Sequence, residues 1–168
     1  MTFYQELRGR PLDAFGKTED KLLAKGTAQL GLARPDLIVR PLMAEDLDAA
    51  IDSFNFSIST TNGLNTLVNN QTITDNRFVS INGICYPEST PLIDWIRVTR
   101  SGSVARLWPI EHIPAQDDST MWVDDPITVD QNTTITIEAF NDTTTTNATE
   151  NLIFIGLVVE KRGMILNP

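Results

Sequence analysis

An all-β fold, an antiparallel β-sandwich, is what this 168-residue sequence predicts. Three observations carry that expectation. Thr and Asn are concentrated after Asp52; β-branched Thr suits a pleated, half-exposed surface and Asn suits turns. In Trp122 to Phe140, WVDDPITVDQNTTITIEAF, Ile127 and Val129 alternate with polar neighbours, Asp130-Gln131-Asn132 turns the chain, and Ile135, Ile137 and Ala139 alternate on the return. A period of two sends successive side chains to opposite sheet faces, so this stretch predicts a strand, a tight turn and a strand as a central pair. Leu152 to Glu160, LIFIGLVVE, is nearly continuous in apolar residues, as expected of a strand buried on both faces.

Residues 1–50 predict an N-terminal arm rather than part of the sandwich. Arg-Pro occurs at Arg10-Pro11, Arg34-Pro35 and Arg40-Pro41, each followed within two residues by Leu12, Leu37 or Leu42. Proline pushes the preceding residue towards extended geometry, so each Arg is expected to project from an extended backbone beside a Leu. Thr18 is placed to cap a short helix, with Glu19 and Asp20 in its first turn, Leu22 and Leu23 as its apolar residues and Gly26 as its end. A second short helix is expected over Ala44 to Ile51. The functional reading is an arm that clasps a neighbour, with Arg making forked contacts and Leu filling pockets. The plainer alternative is a leader that packs on its own chain or stays disordered.

The sandwich is expected over 51–163, with 164–168 as a tail. Phe54, Phe56 and Ile58 alternate in a strand, and Asn62-Gly63 is a turn signal. Leu64 to Ile73 and Phe78 to Tyr86 continue the pattern, with Asn82-Gly83 as a turn or bulge inside the second. Leu92 to Arg100 puts Ile93 and Trp95 on one face and Leu92, Ile96 and Val98 on the other; Ser101-Gly102-Ser103 then turns into Val104 to Trp108. Pro109 to Thr120 is a loop, and Asn141 to Asn151 an exposed hairpin tip. About eight short strands in this length fit a jelly roll or an immunoglobulin-like sandwich. The latter's Cys–Trp–Cys hallmark is missing.

Charge and composition narrow the function classes. The net charge is −9, unevenly spread: residues 1–40 hold seven Lys/Arg against five acids, and the remainder six against seventeen. So acidic a body is poorly suited to gripping phosphate backbones, and no nucleic-acid partner is expected. The mildly basic start could face an acidic partner, such as the body of a neighbouring copy. Cys85 is the single cysteine, which rules out an internal disulfide and a thiolate metal cluster. No apolar run approaches a membrane span and the start lacks a secretory core, so neither membrane nor signal peptide is expected. The Asn-x-Ser/Thr triplets at Asn55, Asn70, Asn132, Asn141 and Asn147 follow from Thr and Asn richness.

Candidate chemistry is sparse. His112 is the single histidine, and Glu111-His112 with Asp117-Asp118 reads as a solvated loop before it reads as a metal site. Asp124-Asp125 and Asp130 could offer oxygens to calcium, although Asp at strand ends is more often turn chemistry. No catalytic residue, metal site or cofactor is assigned, and no enzyme activity is expected. Trp95, Trp108 and Trp122 fall in or beside strands; two of them exposed on one sheet face would stack on sugar rings, while core packing is the commoner role.

A Thr/Asn-rich sandwich behind a Leu/Arg/Pro-bearing segment, with DDPITVDQNTTITIEAFN and LIFIGLVVEKRG as closing strands, resembles the single jelly-roll structural proteins that build or cement the capsids of phages and related viruses. The resemblance covers roughly residues 51–163. It implies a virion protein made in the host cytoplasm, present in many copies and partnered by itself or by a major capsid protein. The arm residues Arg10, Pro11, Leu12, Leu22, Leu23, Arg34, Pro35, Leu37, Arg40, Pro41 and Leu42 would then tie neighbours together. The alternative is a glycan-binding sandwich of a phage neck, tail or cell surface.

Overall fold

The computed structural model describes residues 10–59, 62–116, 118–142 and 148–164. Helix α1 (Arg10–Leu30) leads into a 3-10 turn, strand β1 (Leu37–Pro41), short helix α2 (Ala44–Leu47) and β2 (Asn55–Ile58). There follow β3 (Gly63–Thr72), β4 (Arg77–Cys85), β5 (Trp95–Arg100), β6 (Ser103–Pro109), β7 (Thr120–Val129) and β8 (Thr134–Asn141). The last are β9 (Ala148–Asn151), β10 (Ile153–Ile155) and β11 (Leu157–Lys161).

The pairing resolves these pieces into eight longer strands. β1 and β2 are one interrupted first strand, because they pair antiparallel with β11 and β9, the two ends of the last strand. The backbone bonds Leu42 N to Gly156 O and Leu152 N to Phe54 O, both 3.0 Å, carry the ladder across the interruptions. The first sheet therefore runs first strand, last strand, β4, β7, and the second runs β3, β8, β5, β6. Strands shared between two sheets in this order, with first and last adjacent, give a jelly roll. The chain is an all-β, jelly-roll-like antiparallel sandwich.

The main core lies between the sheets. Val79, Ile81, Val129 and Val158 of the first sheet meet Ile96, Val98, Ile135 and Ile137 of the second, all fully buried. β7 and β8 do not form the central pair that their alternation predicts. β7 pairs with β4, and β8 with β3 and β5, so Asp130-Gln131-Asn132 is a corner between sheets. The same alternation serves either arrangement: it fixes which side chains point inward, not which strand lies alongside. Ile110 and Ile113, in the loop expected over 109–120, are fully buried and close the core.

Residues 10–42 are not an extended arm. α1 is a single 21-residue helix lying on the outer face of the first sheet, where Leu22 and Leu23 pack with Leu37, Phe78, Leu157 and Val159. Thr18 is inside the helix, not at its cap: its Oγ1 donates to Ala14 O (2.7 Å) and accepts from Asn82 Nδ2 (3.2 Å). Gly26 does not end the helix either; a Cβ there would stand 2.9 Å from Leu37 Cδ1, so its role is close approach to the sheet. The end is at Leu30, followed by Gly31 at φ +65°, the left-handed position that closes many helices. Sandwich pairing accordingly starts at Leu37, ahead of the expected Ile51.

Candidate interaction face

The two sheets differ in what covers their outer faces. α1 lies over the first. On the second, the residues that alternate with the core, Trp95, Arg97 and Thr99 on β5 and Thr136, Glu138 and Phe140 on β8, are all partly exposed. Register aligns them in rows. The first row is Leu64, Phe140, Trp95 and Pro109; the second is Thr66, Glu138, Arg97 and Leu107; Thr136, Thr99 and Val104 continue the third. Three of the most exposed large apolar side chains, Leu64 (38%), Val104 (59%) and Leu107 (57%), fall in these rows.

In the first row, on the two inner strands, Trp95 and Phe140 stack with ring centroids 5.0 Å apart and planes 4° from parallel. Beside them Arg97 Nε donates to Glu138 Oε2 at 2.8 Å. That hydrogen bond and the Glu138 charge raise the Arg97 pKa above its ordinary value. The pair is internally neutral, so the centre of this face carries no net charge in a protein of −9. The β5–β6 hairpin that presents it turns through Ser101 (φ +49°) and Gly102 (φ +76°), the backbone that suits a two-residue hairpin.

The residues expected to clasp a partner lie elsewhere, and five of the eleven are occupied within the chain. Leu22, Leu23, Leu37 and Leu42 are buried within the chain. Arg40 belongs to an ion cluster with Arg77, Asp46 and Glu160. Its Nη1 and Nη2 reach Asp46 at 2.5 and 2.6 Å, its Nε reaches Glu160 at 2.9 Å, and Arg77 Nε reaches Glu160 at 2.8 Å. Burial alone would lower the Arg40 pKa; the hydrogen bonds and charges of Asp46 and Glu160 outweigh it and raise the value. Arg34, Pro35, Pro41 and Leu12 are exposed and Pro11 half-exposed, while Arg10 opens α1. The structure does not gather them into one surface with the open sheet face.

A second buried polar site joins Tyr86 to Glu150. The Tyr86 hydroxyl donates to Glu150 Oε2 and accepts from the backbone N–H of Leu92 (3.0 Å) and Ile93 (3.1 Å). Burial first, then the Glu150 hydrogen bond, raises the tyrosine pKa; burial also raises that of Glu150, against the hydrogen bonds from Tyr86 and Leu92. The site pins the 86–94 loop to β9.

The remaining candidates separate. Asp125 pairs with Arg106 and Asp130 with Lys25, so two of the three acids considered for calcium are matched by cations. Among the described residues no group of three His, Cys, Asp or Glu could hold a metal. His112 is exposed at the start of a 3-10 turn, and Asp117 lies outside the described residues, as do Asn147 and 165–168. Cys85 is half-buried. Trp108 is in the core, and Trp122 lies on the first sheet across Gly83, where a Cβ would be 3.0 Å from its ring. The two-tryptophan platform is therefore absent, and Trp95 has Phe140 as its neighbour instead. A depression of about 170 Å³ between α1 and β7, lined by Lys17, Lys21, Asp124 and Asp125 among others, is smaller than pockets that take drug-sized ligands. Among the described residues no helix is long and apolar enough to cross a membrane.

No protein-family model matches the chain. No curated protein matches it either. Among solved structures it is similar to a family 35 carbohydrate-binding module from Clostridium thermocellum, at 12% identity over 75% of this chain and 93% of that one. The TM-score is 0.29, too low to carry an argument about this chain.

Proposed function

We propose that this chain is a non-catalytic virion structural protein, a capsid cement or decoration protein or a small jelly-roll capsid subunit. It stabilises a shell by docking the outer face of the β3–β8–β5–β6 sheet. The observation that carries the reading is the contrast between the two sheets: one outer face is sealed by α1, the other leaves an aromatic stack partly exposed and Leu64, Leu107 and Val104 exposed. An open apolar sheet face rimmed by polar residues is the usual mark of an association surface. The clasping role moves from the N-terminal segment to this face, because Leu22, Leu23, Leu37 and Leu42 of that segment are used inside the chain.

The test is fractionation of the material in which the sequence occurs. On a density gradient, antibody against the chain is expected to mark fractions of megadalton particles. Detection only as free protein near 18.7 kDa overturns the reading.

A glycan-binding role is the second reading, favoured by the Trp95–Phe140 stack beside the polar Arg97–Glu138 pair. It predicts saturable binding on a glycan panel that Trp95→Ala abolishes. No binding across the panel removes it.

A further inference from the structure

The open sheet face has a symmetry in its own residue pattern. In the first row an aromatic on β8, Phe140, stands beside an aromatic on β5, Trp95, with Leu64 and Pro109 on the flanks. In the second, an acid on β8, Glu138, stands beside a base on β5, Arg97, with Thr66 and Leu107 on the flanks. A two-fold axis lying in the contact plane, along the strands and midway between β8 and β5, exchanges the two halves of each row. It brings Glu138 of one copy over Arg97 of the other, and Phe140 over Trp95. Leu64 then meets Pro109, and Leu107 meets Thr66. Every charge meets its opposite and the aromatics meet each other.

We infer that the face binds a second copy of this chain, sheet against sheet, about that axis. The inference rests on the reading of this face as an assembly surface and names its occupant. A two-fold contact must be self-complementary, and this one is so in both charge and shape class. With strands about 4.8 Å apart and same-face rows about 6.8 Å apart, three rows on four strands give a footprint of roughly 20 Å on a side. That is on the order of 400 Å² per copy, about half of a standard interface. The pair is therefore weak in dilute solution and strengthened where many copies are held together. A basic protein surface is a poorer occupant, because the centre of the face has no net charge to attract it.

The test is sedimentation velocity of the full chain up to about 1 mM, with Arg97→Glu and Glu138→Arg alone and mixed in equal amounts. The wild type is expected to dimerise. Each single variant places like charges across the two-fold twice and is expected to dimerise at least tenfold more weakly. In the mixture every contact is again acid against base, so heterodimers form at least tenfold more tightly than either variant alone. A merely structural role for the pair predicts no rescue on mixing. Circular dichroism checks that both variants fold; if either does not, Leu107→Lys, at an exposed site, is expected to block the pairing instead. A wild type that stays monomeric, swaps without effect, or a mixture no tighter than its components overturns the inference. A monomer that still travels with particles sinks this inference and leaves the shell reading standing; a dimer absent from particles does the reverse.

Discussion

Gly156 and Gly16 show how differently two glycines in one chain are constrained. A Cβ at Gly156 would stand 1.8 Å from Ser80 O, a backbone atom that no rotamer change can move. The last strand breaks there, and Ser80 Oγ repairs the ladder by accepting from Leu157 N at 3.1 Å. Gly16 sits exposed within α1, and a methyl group added there would meet open space. Gly156→Ala is expected to lower stability by about 3 kcal/mol, the upper range for overpacking. Gly16→Ala is expected to raise it by about 0.5–1 kcal/mol through helix propensity. Urea titration of both variants reads the opposite signs; equal effects would contradict this account of the strand break at Gly156.

At Glu150 the residue scale sets a pH dependence. The folded protein holds the Glu150 proton more tightly than the unfolded chain, because burial raises its pKa. Stability from this group is thus full below the ordinary carboxylate value and falls as pH rises through the raised folded value. Glu150→Gln is expected to flatten that part of the stability–pH curve, and an unchanged slope would assign it to another group. Little of this is legible in the sequence. Glu150 stands in an apparent hairpin tip, NDTTTTNATEN, and no local pattern says that Tyr86, 64 positions away, needs its carboxylate.

At the scale of elements, the first strand and α1 decide how the chain holds together. Arg40 on β1, Arg77 on β4, Glu160 on β11 and Asp46 on α2 join four elements in one nearly buried cluster. Removing one member leaves the others partly uncompensated, so Arg40→Ala is expected to cost about 3–5 kcal/mol, measured by chemical denaturation. A loss below about 1 kcal/mol would mean that water replaces the guanidinium easily. A chain beginning at Ala50 loses β1 and α1 together, exposing Phe78, Leu157 and Val159. It is expected not to fold as a monomer, which its circular dichroism spectrum checks.

Strand positions are readable because alternation and turn residues are local signals. The hairpin at Ser101-Gly102 and the bulge at Asn82-Gly83 are both visible in this way. α1 reads as a fragment in sequence because its inward stripe passes through Thr18 and Gly26, neither of them a large apolar residue, and only the sheet beneath explains both. The Arg-Pro-Leu repeats look alike in sequence, yet Arg34 is exposed in a turn and Arg40 is in the ion cluster.

At the scale of the whole molecule, the fold is asymmetric: a helix seals one side of the jelly roll and the other side stays open. The alternation that puts Trp95 opposite Ile96 and Val98 is present in the sequence. Which strands lie beside β5, and hence that Phe140, Arg97, Glu138 and Leu107 form one surface, is not. The charge of −9 on each copy opposes their approach, and salt screens that repulsion over about 8–10 Å. Association through this face is therefore expected to tighten as salt rises from about 20 to 150 mM, read by sedimentation; weakening would mean that the Glu138–Arg97 attraction across the contact outweighs the net repulsion.

The claim that this sheet face is the docking surface is tested most directly by following a surface variant onto particles. Val104→Lys with Leu107→Lys changes two exposed side chains and is expected to leave the melting temperature within about 2 °C of wild type. Wild-type chain is expected to co-sediment with particles and the variant to remain at the top of the gradient. A variant that folds and still co-sediments as well as wild type would place the contact on another surface.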